Sequence, residues 1–346
     1  MSQHVPVSDK AGAAIDKMFS EVRGFADDLS TAASIDIDLN YDFDRIMMCG
    51  MGGSAITGDI IHDCVVRDVD VPITVQRYPF IPGWVNERTL AIVSSYSGNT
   101  RETLSMYNQI VDLKCPRILI TSGGKLEKLG TRNGDLILRL KKGIQPRSAL
   151  GANLGYIACI MDEVCGTHCG DEIRKLVPSL YVARDELDSE DSIAKQAADF
   201  IGVRVPIIYT TAGIYASAIR WMGQINENSK MLAFAGSVPE FNYNEISGWS
   251  EGELRDRCAP VFLYECEASE EIRKLADKAI GSLKEYGQDV FVVPIKGATA
   301  LERSLNAVMI GDYTSLHLAR SQGVDPMSVE TINDFKRRLG NNLRDN

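Results

Sequence analysis

Residues 45–55, RIMMCGMGGSA, join a short apolar run directly to a glycine-rich turn. The run Arg45–Cys49 has the length and apolar character of a strand buried on both faces, and a helical pattern follows Ser54. Glycines at such a junction let the backbone turn sharply and approach a ligand closely. The stretch therefore predicts the first β–α unit of a parallel sheet.

The same alternation of apolar runs and helical segments continues along the chain, after a helical segment at about 11–29. Such alternation predicts parallel, doubly wound sheets. The predicted strands are 45–49, 71–76, 89–94, 117–121, 135–140, 206–210, 231–234, 260–265 and 289–294. After the glycine turn, a predicted helix runs to about residue 66. The other predicted helices are 101–113, 150–165, 177–192, 213–226, 270–286, 299–321 and 328–339. Gly340 is expected to end the last of them.

Both halves of the chain begin with an apolar strand, a glycine turn and a helix. We therefore predict an α/β protein with two similar domains, each a mainly parallel, doubly wound sheet flanked by helices. The predicted boundaries are a helical lead-in over 1–40, a first domain over 41–175, a linker helix over 176–195 and a second domain over 196–346.

Composition excludes several classes of function. A formal net charge of −10 over 346 residues is unsuited to non-specific nucleic-acid binding, which needs a basic surface. No apolar run reaches the length of a membrane span, and the N-terminal residues lack a secretion signal. We expect a cytoplasmic protein that acts on a small molecule, with its eight cysteines reduced.

One cluster of metal-type side chains lies at Cys165, His168 and Cys169. It has no second pair of ligands at the spacing of a zinc site, and the other histidines are scattered along the chain. We therefore interpret the cluster as a helix end and predict no metal.

The glycine turn Gly50–Ser54 precedes a helix, whose N-terminus offers free N–H groups and favours an anion. Gly50, Gly52 and Ala55 also match the dinucleotide fingerprint in its G-x-G-x-x-A form. The next predicted strand ends in Gln76 and Arg77 rather than an acidic residue, which excludes the usual NAD partner and leaves an NADP-binding oxidoreductase as an alternative.

A second loop, Ser94–Thr100, also follows an apolar strand and opens a helix, and it contains four hydroxyl side chains besides Tyr96. A single helix cap would need only Asn99 or Thr100. A hydroxyl-rich loop at a helix N-terminus suits a phosphate monoester, which a dinucleotide site does not predict. We therefore predict a phosphate site, with no cofactor, whose residues are Gly52, Gly53, Ser54, Ser95, Ser97 and Thr100.

These two loops together resemble the SIS (sugar isomerase) domain. The remaining motifs resemble one family, the bifunctional phosphoglucose/phosphomannose isomerases. The matching segments, in order, are 146–151, 226–230, 239–246 and 323–326, followed by Lys336. The resemblance covers nearly the whole chain, and it implies two SIS-type domains and a metal-independent interconversion of glucose or mannose 6-phosphate with fructose 6-phosphate.

The resemblance also implies roles for single residues. Aldose–ketose isomerisation moves a proton between C1 and C2 through an enediol, so it needs a base and a group that stabilises the oxyanion. Glu227 matches the family's base, Arg147 the arginine that stabilises the enediolate, and Lys336 a lysine involved in handling the sugar ring.

The chain departs from the family's pattern at Tyr243, where a histidine that opens the sugar ring is expected. A tyrosine is a poor proton shuttle near neutral pH. Three outcomes stay open: Glu245, Lys336 or a water opens the ring; the substrate is open-chain; or the protein is a sensor that binds sugar phosphate without turnover. The resemblance further implies a homodimer in which residue 243 reaches the neighbouring subunit's site.

Overall fold

The computed structural model describes residues 8–341 and contains two parallel β-sheets. The first seven residues of the predicted lead-in and the last five of the predicted second domain lie outside the described residues. The strands of the first sheet are β1 (Arg45–Cys49), β2 (Ile73–Gln76), β3 (Thr89–Ser94), β4 (Arg117–Thr121) and β5 (Leu136–Arg139). Those of the second sheet are β6 (Val205–Thr211), β7 (Phe234–Val238), β8 (Cys258–Glu265) and β9 (Phe291–Ile295).

Both sheets are doubly wound. The strand order is β2-β1-β3-β4-β5 in the first and β7-β6-β8-β9 in the second, and every pair is parallel. The order reverses direction between β1 and β3 in one sheet and between β6 and β8 in the other. Such a switch point leaves a crevice at the carboxyl ends of the strands, where ligands of α/β proteins bind.

Helices connect and cover the strands. They are α1 (Asp9–Arg23), α2 (Phe25–Ala32), α3 (Gly53–Val65), α4 (Arg101–Asp112), α5 (Gly124–Asn133), α6 (Leu150–Cys165), α7 (Cys169–Leu187), α8 (Ile193–Ile201), α9 (Tyr215–Gln224), α10 (Glu245–Glu251), α11 (Glu270–Glu285), α12 (Ala300–Gln322) and α13 (Glu330–Asn341). None of the helices within residues 8–341 is long and apolar enough to cross a bilayer.

The apolar side chains form three clusters that define the layers. The largest joins the inner faces of both sheets through the helices between them, and it includes Ile46 and Met48 of β1 together with Trp221 of α9. The neighbouring Met47 and Cys49 of β1 point the opposite way and pack under α4 and α5. A third cluster packs the outer face of the second sheet against α10 and α11. Because the central cluster is shared, the two sheets are fixed back to back across one helical layer.

The predicted fold class is confirmed: the two sheets are parallel and flanked by helices. Strands β1, β3 and β4 begin and end at the predicted residues, and so does α6. The lead-in helix is interrupted at Gly24. The predicted domain boundaries stay predictions.

Several secondary-structure predictions were wrong. The strand predicted at 231–234 lies at Phe234–Val238, because a π-helical turn and Lys230 in a left-handed conformation delay its start. Helices α5, α8 and α10 were missed, and the helix predicted over 177–192 lies at Cys169–Leu187. Gly340 does not end the last helix, which runs to Asn341.

Candidate active site

The two predicted phosphate loops meet at the switch point of the first sheet. Strands β1 and β3 are hydrogen-bonded neighbours, so the turns that follow Cys49 and Ser94 lie side by side. A Cβ atom placed on Gly50 would lie 3.1 Å from the backbone oxygen of Ser94, which shows how closely the two chains pass. The crevice therefore brings together the glycine turn and the hydroxyl-rich loop, as the sequence predicts.

The helix N-termini at this crevice are uncapped by side chains. Gly52 precedes α3 with a φ of 52°, and Thr100 precedes α4 in an extended conformation; neither helix has a side-chain cap hydrogen bond. Thr100 instead accepts a hydrogen bond from the Ser95 hydroxyl at 3.2 Å. Helix capping therefore does not explain why the loop Ser94–Thr100 is rich in hydroxyl side chains. The free backbone N–H groups and the positive dipole ends of α3 and α4 face the crevice.

The shape of the second loop depends on a third turn. Gly98 has a φ of 61°, and a Cβ atom there would lie 1.8 Å from the backbone oxygen of Gly123, so only glycine fits. The Ser122 hydroxyl donates to the Tyr96 carbonyl at 2.7 Å, and the Asn99 side chain accepts from the Lys125 amide at 3.1 Å. The loop after β4 therefore holds Ser97 and Thr100 in place.

A buried asparagine supports the crevice from below and was not identified from the sequence. Asn153 of α6 donates to the hydroxyls of Ser94 and Thr57, each at 3.0 Å. One amide group thus connects the end of β3 to α3. A lone asparagine within an apolar helix gives no signal of this role, since its partners are distant in sequence.

Arg147 lies against the first loop. A Cβ atom on Gly53 would be 3.4 Å from the Arg147 Cα atom. Arg147 belongs to a 3-10 turn, Pro146–Ala149, and its side chain is only 3% exposed. Burial lowers the pKa of its guanidinium, and the nearby Glu227 carboxylate opposes that effect.

The guanidinium of Arg147 binds three groups from distant parts of the chain. Its Nη1 atom lies 2.7 Å from Oε1 of Glu227, and its Nε atom donates to Oδ1 of Asn228, also at 2.7 Å. Its Nη2 atom donates to the Pro326 carbonyl. The planar fork of an arginine can serve several acceptors at fixed angles, which a lysine cannot. The arginine and the glutamate singled out in the sequence are therefore in direct contact.

Glu227 lies in a π-helical turn, Ile225–Ser229, which follows α9. Such turns insert an extra residue into a helix and are frequent at functional sites. Lys230 closes this turn with a φ of 58°, and its Nζ atom donates to the carbonyls of Glu227 at 2.6 Å and of Ser328 at 2.8 Å. The Glu227 side chain remains 32% exposed, so a substrate can reach it.

A second buried ion pair, Arg220 with Asp312, fixes the backbone of Arg147. The Arg220 guanidinium binds Asp312 through two hydrogen bonds of 2.9 and 2.8 Å, and it also donates to the Arg147 carbonyl at 2.9 Å. Arg220 lies on α9 and Asp312 on α12, so these contacts fix the turn of Arg147 to the helices of the second sheet.

The structure does not bring Lys336 and Tyr243 to this pair. Lys336 is exposed on α13, and Tyr243 is 83% exposed at the end of a 3-10 turn, Glu240–Tyr243. Within residues 8–341 neither side chain makes a hydrogen bond to Arg147 or Glu227. Glu245, which the sequence left open for ring opening, accepts a 2.6 Å hydrogen bond from the Tyr209 hydroxyl.

Two alternatives raised by the sequence find no support in the described residues. The arginine that an NADP site would need, Arg77, is paired with the Asp59 carboxylate through both terminal nitrogens. Cys165 ends α6 and Cys169 begins α7, and within residues 8–341 no three His, Cys, Asp or Glu side chains cluster as metal ligands.

Comparison with known proteins agrees with this geometry. A family model described as the bacterial phospho-glucose isomerase C-terminal SIS domain matches residues 190–339. The chain is 32% identical to the bifunctional phosphoglucose/phosphomannose isomerase of Aquifex aeolicus over 295 residues, which are 85% of this chain and 90% of that protein. The protein with the same name from Caldicellulosiruptor bescii is also 32% identical, over 93% of this chain and 98% of that one.

The chain belongs to the bifunctional phosphoglucose/phosphomannose isomerase family. Solved structures of lower identity share its fold: the C-terminal domain of glucosamine-fructose-6-phosphate aminotransferase from Francisella tularensis has a TM-score of 0.71 at 15% identity, over 90% of this chain and 97% of that chain. Membership of the isomerase family agrees with the interpretation of the two loops as SIS-type loops. The Arg147–Glu227 pair lies directly beside them.

Proposed function

We propose that the protein is a metal-independent isomerase that interconverts glucose 6-phosphate, mannose 6-phosphate or both with fructose 6-phosphate. The observation that carries the proposal is the Arg147–Glu227 contact of 2.7 Å beside a crevice with two uncapped helix N-termini. The crevice suits a phosphate, and the pair suits proton transfer at the carbons of the same substrate.

The phosphate is held by the two loops of the first sheet. In this proposal the backbone of Gly52 and Gly53 and the hydroxyls of Ser54, Ser95, Ser97 and Thr100 bind its oxygens. Hydrogen bonds to a charged acceptor are stronger than those between neutral groups, and the helix dipoles add to them. The phosphate thereby positions C1 and C2 of the sugar toward Glu227.

Glu227 then moves the proton. Its carboxylate removes the proton from C2 of the open-chain aldose, and the electrons of that C–H bond form the C1–C2 double bond of a cis-enediol as the C1 carbonyl becomes an oxyanion. Arg147 stabilises this oxyanion. Glu227 then returns its proton to C1, and the O2 proton passes to O1, so that a C2 carbonyl and a C1 hydroxyl form and the ketose results. Preorganised charge of this kind contributes about 10²–10³-fold to a rate.

Ring opening is assigned to Lys336 at a homodimer interface, where Tyr243 of the neighbouring subunit hydrogen-bonds the ring oxygen without carrying the proton. Two features support this. Tyr243 is 83% exposed and makes no hydrogen bond to Glu227 of its own chain within residues 8–341. The segment that leads to Lys336 is tied to the site by Arg147 at Pro326 and by Lys230 at Ser328.

We propose further that the two SIS-type domains have the boundaries 41–175 and 196–346, joined by a linker over 176–195, and that the enzyme works in the cytoplasm without a cofactor. Titration with NADPH, followed through the fluorescence of its reduced nicotinamide, tests the last point. No binding is expected, because the Arg77 guanidinium is already paired with Asp59.

The test of the isomerase proposal is turnover in a coupled assay, with wild type and Glu227→Gln measured side by side on glucose 6-phosphate, mannose 6-phosphate and fructose 6-phosphate. We expect turnover by wild type and loss of at least about 10²-fold in the variant. Equal inactivity of both, with sugar phosphate still bound, would instead establish the sensor alternative. Comparing the two aldoses also gives the epimer preference.

A further inference from the structure

The second sheet has its own switch-point crevice. Its order β7-β6-β8-β9 repeats the order β2-β1-β3-β4 of the first sheet, with all strands parallel. The crevice between β6 and β8 therefore corresponds to the phosphate crevice between β1 and β3. Parallel strands that reverse their winding direction leave such a crevice whether or not a ligand uses it.

The helix N-termini differ between the two crevices. In the first, α3 and α4 have no side-chain caps. In the second, Oδ2 of Asp63 accepts a hydrogen bond from the Ala216 amide in the first turn of α9 at 2.9 Å, and the Ser269 hydroxyl accepts one from the Ile272 amide of α11 at 3.4 Å. The chain itself thus satisfies the groups that stay available for an anion in the first crevice.

A buried carboxylate fills the second crevice. Glu265 is the last residue of β8, the counterpart of β3, and its side chain is 1% exposed. Its Oε2 atom accepts from Nε of Arg303 at 2.8 Å, and its Oε1 atom accepts from the Thr211 hydroxyl at the end of β6. A Cβ atom on Gly213, in the turn before α9, would lie 3.5 Å from Oε2.

These contacts are those expected of a bound anion. A hydroxyl at a strand end, a cation and a glycine turn before a helix surround the Glu265 carboxylate, and the glycine turn and hydroxyl are also the features of the first crevice. In the first sheet the corresponding strand end carries Ser94 and Ser95, whose side chains are shorter than that of a glutamate and uncharged.

We propose that Glu265 is an internal ligand of the second crevice, occupying the position that a phosphate takes in the first. A carboxylate there excludes an anionic ligand by both volume and charge, so each chain binds phosphate in one crevice. The same site, once vacated, is a phosphate site formed by Thr211, Arg303 and the turn at Gly213. This inference rests on the phosphate site proposed for the first crevice, but it concerns anion binding alone and does not depend on isomerase activity.

The test compares two variants of the full chain. Glu265→Ser vacates the crevice and restores the residue type of the first one, whereas Glu265→Gln removes the charge and keeps the volume filled. Thermal unfolding is followed in inorganic phosphate and in chloride at equal ionic strength. A ligand at ten times its dissociation constant multiplies the folding equilibrium constant about elevenfold.

We expect Glu265→Ser to unfold at a lower temperature than wild type in chloride, and phosphate to raise its Tm by about 2 °C more than it raises that of wild type or Glu265→Gln. Calorimetric titration should show one more phosphate per chain in Glu265→Ser than in the other two proteins. Both measurements compare Glu265→Ser with wild type and Glu265→Gln. Phosphate bound in the first crevice contributes equally to all three proteins and therefore does not affect the comparison.

Equal phosphate responses in Glu265→Ser and Glu265→Gln would overturn the proposal. If Glu265→Ser is insoluble in chloride, its refolding yield with and without phosphate replaces the Tm. The control is then Asp135→Ala, which removes a buried carboxylate paired with Arg117 at 2.7 Å outside either crevice. A phosphate-dependent yield confined to Glu265→Ser supports the inference, and equal yields for the two variants contradict it.

Discussion

Nη1 of Arg147 and Oε1 of Glu227 lie 2.7 Å apart, although the residues are separated by 80 positions in the chain. Arg147 precedes α6 on the side of the first sheet, and Glu227 follows α9 on the side of the second. The arginine is buried and the glutamate is partly open. The site is therefore assembled by the packing of the two halves through their common helical layer.

Replacing Arg147 by lysine should lower kcat at least about 100-fold and change KM little, because the interaction is made mainly with the developing oxyanion. A lysine cannot reach Glu227, Asn228 and Pro326 at once. Steady-state kinetics and Tm are measured for Arg147→Lys and for Arg117→Lys, a control at the Arg117–Asp135 ion pair. Wild-type kcat in Arg147→Lys would contradict the assigned role.

Removing hydroxyls from the loop Ser94–Thr100 should weaken substrate binding rather than slow the chemical step. For the double variant Ser97→Ala/Thr100→Val we expect KM for the sugar phosphates to rise about tenfold, with kcat within a few-fold of wild type, because phosphate contacts serve ground and transition states alike. Ser105→Ala is the control: its hydroxyl lies on α4, the helix that follows the loop, and donates to the Pro79 carbonyl at 2.6 Å. An unchanged KM in the double variant would place the phosphate elsewhere.

Lys230 is expected to be a positioning residue. It ties the Glu227 carbonyl to that of Ser328, and a misplaced base loses rate even when substrate still binds. Lys230→Met should lower kcat about tenfold at nearly constant KM, and Lys230→Arg should recover part of the loss since it can still donate to both carbonyls. Equal kcat values for Met and Arg variants would argue against positioning by these hydrogen bonds.

Stability should fall in acid because of His317. Burial lowers the pKa of its imidazole to about 4 from 6.5; Arg320 and Lys195 act in the same direction, and Asp199 opposes them. Its ring packs edge-on against Phe19 at 5.3 Å. Between these pH values the unfolded chain binds more protons than the folded one, so the free energy of unfolding decreases as pH falls from 6.5 to about 4.

Chemical denaturation at pH 7 and pH 5 checks this expectation. Wild type should lose more stability between the two values than His317→Gln, whose side chain does not titrate. Equal decreases in the free energy of unfolding of the two proteins would show that groups other than His317 cause the loss of stability in acid.

Much of the fold could be predicted from local sequence. Buried parallel strands are short, uninterrupted apolar runs, so β1, β3 and β4 were located to the residue. Strand β7 was misplaced because its residues, Phe234–Val238, include Gly236 and Ser237, which are not typical of strands, and because the preceding π-helical turn has no recognised sequence signal. Helix α8 has only nine residues, and its first three fall within the predicted linker over 176–195, so it was not recognised as a separate helix.

The site was predictable only in part. The glycine and hydroxyl loops carry their signal in adjacent residues, and the family's motifs indicated Arg147 and Glu227. The supporting contacts of Asn153, of Arg220 with Asp312, and of Lys230 join residues far apart in sequence, so only the packed structure reveals them. The surroundings of Tyr243 and Lys336 in a dimer stay a prediction.

The most direct test of the central claim is proton exchange during turnover in D₂O. Fructose 6-phosphate is incubated with wild type or Glu227→Gln, and NMR follows deuterium at C2 of the aldose and at C1 of the remaining ketose. The account predicts incorporation by wild type and at least about a 100-fold slower incorporation by the variant, with sugar phosphate still bound. Turnover without any deuterium incorporation, or incorporation at the wild-type rate by Glu227→Gln, would contradict an enediol mechanism with Glu227 as its base.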